Sequence, residues 1–239
     1  MRHALLSCLV PLLFANPAAA ARQTEFTQVY LSRHELNYIG YLDKDANQRL
    51  FALYDSLADK PTTLLIRSGG GEINTGMELG AWVHAHHLDV KVLEYCMSSC
   101  ANYVFPAGAR KTVSNFAVIG FHGGPSSAEF HFDETTQAMF DAMPKEQRDT
   151  MMAGFKADMA KSAAREAGFF DKIGVRQDIT KLGHEPRYRS LMERDPNTAG
   201  WTYSLEQFDR FGVREITVIN PPWKPVSADK SVSFVALPD

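Results

Sequence analysis

The 239 residues include 25 lysines and arginines against 28 aspartates and glutamates, a formal net charge of -3 with histidine neutral. A nearly balanced, slightly acidic chain without a long basic run lacks the electrostatic footprint of a nucleic-acid-binding protein. With 45% hydrophobic residues it has material for a sizeable core, and its length suits one large domain or two small ones.

The chain opens like an export signal: Arg2 and His3, the apolar run ALLSCLVPLLF, then ANPAAAA with small-residue cleavage sites after Ala20 or Ala21. That run is short beside the roughly 20 residues of a membrane span, and Cys8 comes too early for a lipoprotein cleavage box. Residues 1–20 are therefore expected to be removed, taking Cys8 and Arg2 with them and moving the charge from -3 to about -4. No later stretch is long and apolar enough to span a bilayer, so the reading is a soluble exported protein, periplasmic in a Gram-negative cell. Cys96 and Cys100 remain, an even number in a compartment that permits disulfides.

TQVYLSRH alternates like a strand, and DKDANQRLFALYDSLADK places Leu50, Leu53 and Leu57 on one helical face. TTLLIRS reads as a buried strand cut off by GGG, INTGMELGAWVHAH as a helix, VKVLEYC as a strand and SCANYVFPAG as a short apolar helix. NFAVIGFHGG reads as a third strand ending in glycines. Strands alternating with helices imply parallel pairing with right-handed crossovers, an α/β core. Residues 128–170 turn rich in Ala, Met, Lys and Glu, a helical insertion of two helices broken near Pro144. Met139, Met143, Met151, Met152 and Met159 suit an adaptable apolar face, core or subunit contact. WTYSLEQFDRFGVREITVI predicts a short helix behind a serine N-cap and a further strand. NPPWKPVSADK reads as a surface loop, and 221–239 as a C-terminal tail following one domain over 25–220.

The chemistry concentrates in EYCMSSCANYVFPAG, residues 94–108. A serine hydroxyl becomes a nucleophile only when a base takes its proton and donors hold the developing oxyanion. A strand turning sharply into a helix exposes the serine and leaves the first helical N–H groups unpaired. Ser99 occupies such a turn, with the N–H of Cys100 as one oxyanion donor. RSGGGEINTG offers glycine backbone, Gly70 and Gly71, for a second donor. His122, ending the strand of AVIGFHGG, has the position of a general base.

IRSGGGEINTGMELGAWV, SSCANYVFPAG and NFAVIGFHGG together resemble the Clp protease proteolytic subunit and its relatives in the Clp/crotonase superfamily, especially small exported Clp-like proteins. The resemblance covers Thr62 to Gly124 well and YSLEQFDRFGVREI weakly. It implies a ClpP/crotonase-like β-β-α superhelix with a mostly parallel sheet, a serine peptidase and a trimer-based homo-oligomer. No cofactor and no metal are implied. In the family the nucleophile stands nine residues before the glycine of an AAG-like segment, and Ser99 is nine residues before Gly108. Gly71 then matches the oxyanion glycine, Cys100 the second oxyanion N–H and His122 the base.

Three departures stand out. Gly69 replaces the usual proline of the glycine turn. Cys96 and Cys100 flank the serines, either as a disulfide bracing the elbow or as two small buried thiols. The orienting acid has no clear match: Asp195 is favoured, with Asp171, Asp178 and Asn197 as alternatives, and a Ser-His dyad of reduced activity if no acid serves.

His84, His86 and His87 suggest a metal, yet only His84 and His87 share a helical face, so a solvated helix end is preferred. His131 and Asp133 are expected on an edge strand or loop. Cys100 as nucleophile is disfavoured because a reactive thiol would oxidise in such a compartment. The expectation is an exported, ATP-independent serine hydrolase acting on a peptide, an unfolded polypeptide or an ester. The competing readings are a catalytically weak scaffold and an acyl-thioester enzyme, the latter at odds with export.

Overall fold

A computed structural model describes residues 26–127, 134–227 and 232–238. Strands Gln28–Ser32 (β1) and Glu35–Ile39 (β2) form an antiparallel hairpin turning at Arg33 and His34, whose φ values are 51° and 62°. Positive φ at both turn residues matches the right-handed twist of the strands they join. Helix Lys44–Ser56 (α1) starts where the Asp43 carboxylate accepts from the Ala46 N–H. Strand Thr63–Arg67 (β3) leads through the glycines to helix Ile73–Ala85 (α2), capped by Glu72, which accepts from the N–H groups of Asn74 and Thr75.

The stretch expected to form one strand, VKVLEYC, is two: Asp89–Val92 (β4) and Tyr95–Met97 (β5). The chain bends at Leu93 and Glu94 and changes sheets. After it come a π-helical turn, Cys100–Val104, a short α-helix, Phe105–Ala107 (α3), and strands Lys111–Ser114 (β6) and Val118–Gly120 (β7). Strand β6 opens on a lysine and was not legible as a strand. Burial pushes Lys111 down to about 8, and its Nζ donates to the Arg214 carbonyl at 2.8 Å.

Helices Glu134–Asp141 (α4) and Lys145–Ile173 (α5) flank Pro144, as the composition predicts. Three 3-10 turns between Gln177 and Tyr188 lead to a short helix, Arg189–Met192 (α6). Strand Thr198–Thr202 (β8), helix Leu205–Phe211 (α7), strand Ile216–Ile219 (β9) and strand Ser233–Ala236 (β10) complete the described elements. Helix α7 has the predicted serine cap, with Ser204 and Gln207 forming a reciprocal capping box.

The architecture is mixed α/β around a mostly parallel sheet ordered β1-β2-β3-β4-β6-β9, antiparallel only at β1–β2. Two parallel pairs, β5–β7 and β8–β10, sit apart from it. Bridges tie these pieces together: Ser68 to Cys96, and Phe121 to Trp201. The C-terminal stretch expected as a tail is packed in part. Strand β10 pairs with β8, Leu237 is buried, and the Trp223 indole N–H donates to the Ala117 carbonyl at 2.8 Å. Among the described residues no helix is long and apolar enough to cross a membrane.

The elbow helix packs against α2 at two glycines one turn apart. A Cβ at Gly76 would lie 2.8 Å from Ser99 Cβ, and one at Gly80 only 2.3 Å from the Tyr103 carbonyl oxygen. Since backbone cannot yield as a side-chain tip can, Gly80→Ala should destabilise by about 1–3 kcal/mol. Gly168→Ala, in exposed α5 with nothing within 4 Å of the new methyl, should instead stabilise by about 0.5–1 kcal/mol. Urea midpoints shifting in opposite directions check the pair.

Candidate active site

The chain passes from β5 into the π turn through Ser98, which has φ of 54°. An L-residue in this left-handed region costs roughly 1–2 kcal/mol, so surrounding contacts must hold it there. The Ser98 N–H donates to the Gly120 carbonyl at 2.8 Å, and the Met97 N–H to the Ser68 carbonyl at 2.9 Å. A Cys96–Cys100 disulfide closes over the turn, with the two Cα atoms 5.2 Å apart and both residues fully buried. Gly70, with φ of 98°, lies against the elbow so closely that a Cβ there would stand 2.6 Å from Ser98 Cβ.

His122 emerges from β7, where Phe121 and Trp201 exchange backbone hydrogen bonds of 2.8 Å in each direction. Gly200 permits this approach, since a Cβ there would meet the Phe121 oxygen at 1.9 Å. His122 Nε2 lies 2.7 Å from Ser98 Oγ, so the hydroxyl donates to the ring when the imidazole proton is on Nδ1. The ring stands at the cleft mouth with one side open, yet surrounded closely enough that burial holds its pKa below the ordinary value. Burial outweighs the residue's own backbone carbonyl, which favours the charged ring, and the nearby His184 adds a smaller push in the same downward direction.

The histidine therefore meets Ser98 and not Ser99. Ser99 is buried, 2% exposed, and its hydroxyl donates to the Gly71 carbonyl at 2.9 Å, tying the glycine loop to the elbow. The nine-residue count to Gly108 presupposes an uninterrupted α-helix. The π turn replaces an i→i+4 bond with the i→i+5 bond from the Phe105 N–H to the Cys100 carbonyl, which inserts one residue. Ser98, ten residues before Gly108, thus occupies the place that the count assigns to Ser99.

Asp195 is not brought to the imidazole. It is exposed, and its carboxylate accepts from the Asn197 N–H at 2.9 Å and the Ser233 hydroxyl at 3.2 Å, closing the start of the β8–β10 pair. Asp178 pairs with Arg176 at 2.9 Å, and Asp171 is exposed in the last turn of α5. Among the described residues no carboxylate bonds to His122. Its neighbour is His184, whose Nε2–H donates to the His122 carbonyl at 3.1 Å while its ring packs edge-on to Trp201. His131 and Asp133 lie outside the described residues, as do residues 1–25.

Gly71 lines the same cleft, and neither its N–H nor that of Ser99 is taken by a backbone carbonyl among the described residues. Cys100 contributes its disulfide and the first position of the π turn. The cleft, about 190 Å³, is further lined by Ile73, Asn102 and Met159 of α5. Behind it the fully buried Glu166 carboxylate accepts from the hydroxyls of Tyr103 and Ser126 and from the Gln177 amide. This network anchors the loop after His122. No sequence pattern marks it, because its members lie on four separate segments.

His84, His86 and His87 end α2, where His86 packs on Trp82 and Tyr54. Among the described residues no group of three or more His, Cys, Asp or Glu side chains is placed to hold a metal. No protein-family model matches the chain, and no curated protein matches it.

Removing the Glu166 carboxylate takes the acceptor from the buried Tyr103 hydroxyl and from two half-buried donors, Ser126 and Gln177. Glu166→Ala should cost about 3 kcal/mol in urea denaturation, and Glu166→Gln, which keeps one acceptor, distinctly less.

Proposed function

We propose that the protein is a serine hydrolase, a Clp-like peptidase in which Ser98 is the nucleophile and His122 the general base. The observation that carries this reading is the 2.7 Å approach of His122 Nε2 to Ser98 Oγ at a strand-to-helix elbow with φ of 54°. The three motifs of residues 62–124 that resemble the Clp/crotonase superfamily support it. So does the one-residue π insertion, which reconciles Ser98 with the expected spacing.

Ser98 Oγ attacks a substrate carbonyl as His122 Nε2 takes its proton. The N–H groups of Ser99 and Gly71 hold the oxyanion, the first being the residue after the nucleophile at a helix start. His122 then protonates the leaving group, and a water activated by the same imidazole releases the acyl group. Among the described residues no carboxylate orients the ring, and His184 instead bonds the His122 backbone carbonyl. This replaces Asp195 as the third member and replaces Ser99 and Cys100 as nucleophile and second oxyanion donor. The substrate is a peptide, an unfolded segment or an ester that enters without an ATP-driven partner. Export to the periplasm follows from the signal-like residues 1–20, and a trimer-based assembly from the resemblance.

A second reading is a weakly catalytic scaffold, favoured by the lack of any carboxylate on His122 among the described residues. A fluorophosphonate probe separates the two. Wild-type protein should be labelled, Ser98→Ala should not, and Ser99→Ala should keep labelling if folded. Absence of labelling in folded wild type would favour the scaffold. His122→Ala should lower kcat by about 10³-fold or more.

The imidazole must be neutral to act as base, and its surroundings disfavour the charged form. Activity should therefore rise as pH climbs through a midpoint below the ordinary histidine value of about 6.5. A rate profile in kcat/KM with its acid limb centred above 7 would contradict the assignment.

A further inference from the structure

Asn102 lies one turn along from the nucleophile, its N–H donating to the Ser98 carbonyl at 2.8 Å. It lines the same cleft and is 2% exposed. Its Nδ2 donates to the Gly123 carbonyl at 2.8 Å, which fixes the amide orientation, since a flipped amide would set oxygen against oxygen. Its Oδ1 is buried and has no hydrogen-bond partner among the described residues.

The other polar side chains around it are engaged. Ser99 Oγ donates to the Gly71 carbonyl, Ser127 Oγ accepts from the Gly124 N–H, and His184 Nε2 bonds the His122 carbonyl. A buried acceptor left unmatched is unfavourable and calls for an explanation in a native fold. Here the orphan belongs to a residue that lines the cavity beside the reacting centre together with Ile73 and Met159, and among the described residues no carboxylate lines that cavity.

We infer that this cavity is the subsite for the residue that supplies the scissile carbonyl, and that it selects a short neutral side chain ending in a hydrogen-bond donor. Threonine meets each requirement: its methyl packs against Ile73 and Met159, and its hydroxyl donates to Asn102 Oδ1. Serine and asparagine satisfy the acceptor with less apolar contact or more bulk. Valine, the same shape without the donor, leaves Oδ1 unmatched. A lysine ammonium finds no counter-charge among the described residues. The inference rests on Ser98 as the reacting centre, but the recognition itself is a property of the cavity.

The test uses two peptides identical except for threonine or valine at that position. Calorimetric Kd values are measured on the Ser98→Ala protein, and kcat/KM on the wild type. Threonine should be favoured at least about tenfold in both, because a site built around a substrate hydroxyl discriminates strongly against the analogue lacking it. Asn102→Leu, if folded, should bring the ratio near one. Valine binding as well as threonine, or neither peptide binding, would overturn the inference. A threonine preference in Kd without hydrolysis by wild type would sink the Ser98 chemistry and leave the subsite standing.

Discussion

The left-handed conformation of Ser98 is the constraint around which this molecule is arranged. A serine at φ of 54° does not persist unaided, and each neighbouring device restrains it from a different side. The disulfide joins the strand before it to the helix after it, and the Gly120 carbonyl receives its N–H. Gly70 makes room for its Cβ, and Ser99 draws the glycine loop inward through the Gly71 carbonyl. The splitting of both central strands serves the same end. By leaving the six-stranded sheet for a small second one, β5 and β7 run side by side, and the ends of two parallel neighbours deliver Ser98 and His122 to one point.

The histidine is held by backbone. Phe121 is locked to Trp201, the next residue's carbonyl receives His184, and the loop beyond is tied to Asn102 and to the buried Glu166 network. That carboxylate has three donors and no basic partner among the described residues. Burying it is costly, and the network offsets the cost only as a complete set. The orphaned acceptor of Asn102 contrasts with this full satisfaction a short way off, and that contrast motivates the proposed subsite.

Much of this was legible in the sequence. Apolar runs cut by glycines gave strands alternating with helices, Ser204 announced the start of α7, and Pro144 separated α4 from α5. His122 stood out through its place at the end of a buried strand that follows the glycine turn and the serine elbow in that order. The choice between Ser98 and Ser99 was not legible, since it turns on whether the following turn is α or π. That is decided by packing of Tyr103 and its neighbours against the Gly76–Gly80 face of α2. Asp195 was misplaced for a related reason. Its distance along the chain from α7 says nothing of where the loop before β8 points, and the strand β10 that occupies its carboxylate lies at the far end of the chain. The disulfide stayed open because the separation of two cysteines four apart depends on the same turn.

The central claim is that the first serine of the pair, not the second, carries the chemistry. Tandem mass spectrometry of the peptide spanning residues 94–108 after fluorophosphonate treatment and reduction tests it directly. The added phosphonate mass is predicted on Ser98. An adduct on Ser99, whose hydroxyl is buried against Gly71, would contradict the account.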